Sequence, residues 1–273
     1  ADVEVSQEKL DSFKLSNHLV DLLWNEPFYS CILRNLSKVE TDQIPTAGVL
    51  AKDGNITMWW NRRFLASLKP RQVRGLLKHE CLHLVYQHTT ERRKTPHIIW
   101  NYATDLAINS TIPYDELPEG GLVPGYRLSP LSEEVVSKMT DKQLKMHRKL
   151  DDLIASLPSD KTSEFYFEKL MEDDELAEEL DKAGSPMEGV GFDDHEGWDE
   201  LSDAEREMVS QKLKEVLKGA VNEANCKGWG SVSAQRAAEL NKMISRTIKW
   251  DEILRRFCGF TSRDERQSSN KRL

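Results

Sequence analysis

The sequence predicts an α+β chain that is mostly helical, with one small sheet or hairpin set just before its most informative helix. Three observations carry this. Apolar residues recur at helical spacing through most of the 273 residues. A single stretch near 46–60 switches to strand-like composition around a turn signal. Prolines and glycines, 10 and 14 in number, are too few for a low-complexity chain and fall mainly at the breaks between apolar-periodic segments.

Residues 7–24 carry a rough helical stripe of Leu10, Phe13, Leu19, Val20, Leu22 and Leu23, which Pro27 interrupts. Phe28, Ile32, Leu33 and Leu36 then repeat at helical spacing, so two packed helices are expected. Thr46–Leu50 reads as a strand, Asp53-Gly54 as a turn, and Ile56–Trp60 as a second strand. Alternation along that strand places one of Trp59 and Trp60 in the core and leaves the other free to line a groove. A helix is expected over 71–90, with Pro70 at its first turn, where a missing amide hydrogen is harmless. A second follows from about Ile98 to Ser110, bounded by Pro96 and Pro113. Residues 113–130 form a Pro/Gly-shaped loop, and 131–157 read as helical again. Glu164 onward opens a helix whose acidic run, Glu172–Glu175 and Glu178-Glu179, reads as a solvated face. A Gly- and Asp-rich loop spans 184–199, a long helix runs from about Ser202 to Asn225, and a last one starts near Ser233. Domain organisation is expected as one unit over 1–260 and a polar tail over 261–273.

Hydrophobic residues make up 38% and charged residues 31% of the chain, which suits one sizeable core. Acidic residues number 46 against 38 Lys plus Arg, a net charge of −8, which argues against a general nucleic-acid binder. No apolar run approaches the roughly 18 residues of a membrane span, and Ala1–Val5 has no signal pattern, so a cytoplasmic protein is expected. Cys31, Cys81, Cys226 and Cys258 are scattered without a CxxC pair, as free thiols of a reducing compartment would be.

His79-Glu80-Cys81-Leu82-His83 carries the chemistry. Residues four apart on a helix differ by about 40° around the axis, so both imidazoles can meet one zinc ion. Glu80 beside them can take a proton from a zinc-activated water. Leu77, Cys81, Leu84 and Val85 lie on the other side and bury, leaving the histidines toward a cleft. The bland alternative is a pair of ordinary surface or capping histidines. His88 would lie on the far side of a continuous helix, so a core or site-lining role suits it better than ligation. Asp105 is the candidate third ligand, since Asn101, Asp105 and Asn109 share one face of the following helix. A solvated or capping aspartate is the competing reading. His195, in the Gly-rich loop before Trp198, is a candidate for a second catalytic or ligating role, against a histidine that only packs. The Ile56–Trp60 strand, with Trp59, is the expected seat of an extended peptide.

Four segments carry a resemblance: Thr46–Val49 through Gly54–Ile56; Phe64-Leu65 into His79–Leu84 and His88; Asn101-x-Ala103-x-Asp105-Leu106-x-Ile108-Asn109; and Asp194-His195-x-x-Trp198 with Lys227-Gly228-x-Gly230 and Trp250–Phe257. Together they resemble a bacterial and phage family of metallopeptidase domains that usually precede a von Willebrand factor A-like domain. The resemblance implies a zincin-like core, zinc, hydrolysis of a protein or peptide substrate, and association with MoxR-type AAA+ ATPases. The chain departs from that pattern by ending in a polar tail at Leu273, so it reads as a truncated, processed or short form. The alternative to an enzyme is a non-catalytic binding module on the same fold, with the A-like domain or the ATPase as its partner.

Overall fold

A computed structural model describes residues 5–52, 55–88, 94–183 and 202–244. The expected N-terminal helix is broken at Phe13-Lys14 into α1 (Gln7–Ser12) and α2 (Leu15–Asn25). Pro27 then opens α3 (Pro27–Arg34), where its lack of an amide hydrogen costs nothing. The expected hairpin forms as β2 (Ala47–Lys52) against β3 (Asn55–Trp60), with Val49 opposite Met58. The turn residues Asp53 and Gly54 lie outside the described residues.

A third strand, β1 (Ser37–Glu40), pairs in parallel with β3, and the order β1-β3-β2 makes β3 the central strand. This corrects the expectation that a peptide lies along Ile56–Trp60. Both sides of β3 are already hydrogen-bonded to neighbours, so among the described strands the edges that could take an added strand belong to β1 and β2. The sequence hid β1 because Ser37-Lys38-Val39-Glu40 has no apolar alternation.

After α4 (Arg62–Ser67) comes α5 (Pro70–Val85), which carries the histidine motif and is buried from Gly75 through Val85. It ends five residues earlier than expected. Gln87 adopts φ 58°, a left-handed conformation, and the amide of His88 donates to the carbonyl of His83 at 3.0 Å. The chain therefore doubles back instead of continuing the helix. α6 (His97–Asn109) agrees with expectation. A 3-10 turn (Tyr114–Glu116) sits in the Pro/Gly loop.

The span 131–157 divides into α7 (Glu133–Lys138) and α8 (Asp141–Ser156), because Thr140 and Gln143 form a capping box at the second start. α9 (Ser163–Met171), α10 (Asp174–Ala183) and α11 (Asp203–Lys227) follow, and residues 234–244 are helical. Ser202 caps α11 with Glu205 in a second capping box.

The core has two parts. One joins α2, α3, the sheet, α5 and α11 through Phe28, Ile32, Met58, Leu76, Leu84 and Leu213. The other joins α6, α8, α9 and α10 through Ile99, Trp100, Leu150, Tyr166, Leu170 and Leu180. Helix α6 bridges them, with Leu106 in the second part and Ile108 in the first. Trp60 is the inward tryptophan of β3 and Trp59 the half-exposed one. Among the described residues no helix is long and apolar enough to cross a membrane.

Candidate metal centre

Helix α5 belongs to the first part of the core and α6 bridges it to the second, and the candidate site lies where the two helices meet. The i, i+4 spacing puts His79 and His83 on one side of α5, with their Nε2 atoms 2.9 Å apart. Asp105 on α6 places Oδ1 3.5 Å from His83 Nε2 and 3.9 Å from His79 Nε2. Two imidazole nitrogens and one carboxylate oxygen converge there, and among the described residues this is a group that can hold a metal ion. Donors about 2.0–2.1 Å from one tetrahedral ion are about 3.3 Å apart, and the three separations bracket that value. The donor set of two imidazoles and a carboxylate is one that zinc accepts.

The outer faces of both imidazoles are held. His79 Nδ1 lies 2.8 Å from Asn109 Oδ1. The Asn109 amide nitrogen donates to the carbonyl of Leu122 at 2.9 Å. That donation fixes which end of the amide faces His79, so His79 carries its proton on Nδ1 and offers Nε2 as a lone pair. Asn109 thus finishes the polar face that starts at half-buried Asn101 and passes through Asp105. His83 Nδ1 lies 3.2 Å from His88 Nδ1, and His88 Nε2 lies 3.2 Å from Ser163 Oγ. His88 therefore touches a motif histidine, which a continuous helix would have prevented. The reversal at Gln87 is the reason. Ser163, at the first position of α9, is a site contact that no sequence signal indicated; it lies 75 positions from His88.

His79, Glu80 and His83 have no exposed surface, and Asp105 retains 5%. The histidines expected to face an open cleft are thus enclosed among the described residues. Cys81, inside the motif, is buried too. Burial pushes its thiol well above the ordinary range and neighbouring Glu80 pushes it further, so it is a core thiol rather than a thiolate. Cys31, Cys81 and Cys226 are free. Trp59 lies on the face of β3 opposite Met58 and Trp60, which belong to the same buried core as α5, so it is not among the residues brought together here. His195 lies outside the described residues.

Next to the motif, Lys78 is also buried, and its ammonium group satisfies all three donors. It meets Glu26 at 2.7 Å, Glu116 at 2.8 Å and Ser231 Oγ at 2.9 Å. The Ser231 amide donates to the other oxygen of Glu26 at 2.8 Å. Two glycines make this possible. A side chain at Gly75 would occupy the space of the Glu116 backbone, and one at Gly230, where φ is +58°, would collide with Glu26. Trp229 stacks on Phe28 with ring centroids 5.6 Å apart and holds the segment down. Lys78 thereby pins α5 to the start of α3, to the 3-10 turn and to the segment after α11.

Comparison with known proteins agrees with this geometry. The profile of a family described as "Putative metallopeptidase domain" matches residues 12–272. A Thermotoga maritima protein, named only as uncharacterized, is 26% identical over 262 residues, covering 93% of this chain. The chain spans 61% of that relative's length. No solved structure matches.

Proposed function

Since the chain belongs to this metallopeptidase-domain family, we propose that it is a zinc-dependent endopeptidase whose metal ligands are His79, His83 and Asp105. The convergence of two oriented imidazoles and a carboxylate from separate helices carries the reading. Zinc, when bound, supplies a Lewis acid that polarises a peptide carbonyl and makes water acidic enough to deprotonate near neutral pH. Glu80, next to His79 on α5, takes that proton and hands it to the departing amide nitrogen. Asn109 holds His79 in the tautomer that presents Nε2. His195 belongs to the same proposal as the group that stabilises the oxyanion. The substrate is a protein segment; its seat is an outer edge of the sheet, at β1 or β2, since β3 is paired on both sides. A cytoplasmic setting, and a von Willebrand factor A-like domain and a MoxR-type ATPase as partners, complete the proposal, to be tested by co-purification.

The test is metal analysis of purified protein together with cleavage of a fluorogenic casein substrate. Wild type carries about one zinc per chain and cleaves. Asp105→Ala loses the metal. Glu80→Gln keeps it and loses cleavage by three or more orders of magnitude. Cleavage by Glu80→Gln at the wild-type rate overturns the mechanism. His195→Ala keeps zinc and cleaves more slowly.

The full burial of His79, Glu80 and His83 favours one alternative, a latent or non-catalytic binding module. In that case zinc is structural or absent, and neither wild type nor any partner-activated form cleaves.

A further inference from the structure

His79 and His83 are braced differently on their outer sides, and the second brace was assembled by a chain reversal. At His79 the partner is a carboxamide, with Asn109 Oδ1 accepting and its nitrogen anchored on Leu122. At His83 the partner is a second imidazole, His88, anchored on Ser163. His88 has no exposed surface and Ser163 retains 2%. Its ring is further enclosed by Trp100 and Tyr86, with centroids 5.9 and 5.7 Å away.

Resting on the metal reading above, we propose that His88 and Ser163 are positioning residues that set the metal affinity of the site through His83. A cation taking the Nε2 lone pair of neutral His83 requires that ring's proton to be on Nδ1. That proton points at His88 Nδ1, which must accept it and therefore carries its own proton on Nε2. His88 Nε2–H then donates to Ser163 Oγ. Each ring keeps one proton, so the chain of bonds balances without any net proton uptake. The arrangement does for His83 what Asn109 and the Leu122 carbonyl do for His79, and it ties a ligand on α5 to the first residue of α9. Outer partners of metal-bound histidines are typically worth about 10–100-fold in affinity.

A glutamine at 88 can imitate the asparagine at 109, with an oxygen to accept from His83 and a nitrogen to donate to Ser163. The experiment is zinc competition against a chromophoric chelator, with wild type, His88→Gln, His88→Ala, Ser163→Ala and Asp105→Ala side by side. The melting temperature of each chelator-treated protein is the control for folding. Absorption of the cobalt-substituted proteins reports the ligand field. His88→Ala is expected to weaken zinc by about 10–100-fold. His88→Gln recovers most of that loss, Ser163→Ala falls between them, and the cobalt bands shift in His88→Ala more than in His88→Gln. If His88→Ala does not fold, His88→Gln and Ser163→Ala carry the comparison. The proposal is overturned if the Ala, Gln and Ser163 variants all bind within two-fold of wild type, or if His88→Gln is as weak as His88→Ala at equal stability. Wild type that binds no zinc overturns the metal reading itself. Zinc lost in Asp105→Ala but unchanged at positions 88 and 163 leaves that reading standing and overturns only this one.

Discussion

Two groups of charges, one in each part of the molecule, are built from the same residue types and do different work. Around Lys78 one ammonium and two carboxylates are packed under α5, with Lys78 and Glu26 almost wholly buried. Between α8 and α10, Lys142 meets Glu179, Lys145 meets Glu175, and Lys149 meets Asp173 and Glu175, all at the surface. The acidic run that reads as a solvated helix face is thus the partner of a lysine row from this chain's own α8. Buried charge has no alternative to its partner, whereas exposed charge can return to water. The first group fixes a geometry; the second only favours one.

The largest test of this contrast is Lys78→Ala. It leaves two carboxylates facing each other in the interior, and a loss of about 3–5 kcal/mol is expected from chemical unfolding. A loss below 1 kcal/mol would break the comparison. Next come Gly75→Ala and Gly230→Ala, which leave every charge in place but force the Glu116 or Glu26 segment away. Overpacking of this kind costs about 1–3 kcal/mol, and in the metal assay each lowers zinc content less than Asp105→Ala does.

The pH response is smaller. Lysine hydrogen bonds hold the carboxyls of Asp173, Glu175 and Glu179 below their ordinary values of 3.8, 4.5 and 4.5. A depressed folded value means the contribution is fully present above those values and is lost as pH falls through the lower, folded one. Melting followed from pH 6 to pH 3 should therefore show part of its decline disappear in a Lys142→Ala/Lys145→Ala/Lys149→Ala variant. The smallest effect is that of salt. At 1 M sodium chloride the difference between this triple variant and wild type should shrink, while the Lys78→Ala deficit stays nearly constant.

Legibility followed the same divide between local and distant. The two motif histidines and Asp105 could be read because each sits on a regular helix, where spacing dictates direction. So could the β2–β3 hairpin, from its turn and β-branched residues. The core or site-lining role read for His88 fits its contact with His83, but the route to it was not legible, because neither Tyr86 nor Gln87 is a glycine that would mark the reversal. The capping box of Thr140 and Gln143 was present in the sequence and marks the break between α7 and α8. The parallel strand β1 is short and polar and owes its place to β3. Ser163, Glu26 and Glu116 reach their partners only through tertiary packing, and no local pattern announces such contacts.

The Ser231 contacts have a bearing on how the molecule is made. Ser231 completes bonds to partners 205 and 153 positions earlier in the chain. Contacts of such separation pay their loop-closure entropy before they return any stability. A chain emerging from the ribosome meets Lys78 and Glu26 long before it meets Ser231. Until Ser231 is in place, the Lys78 ammonium lacks one of its acceptors and Glu26 one of its donors. The charge group beneath the motif helix is thereby complete only once segments far apart in the sequence have met.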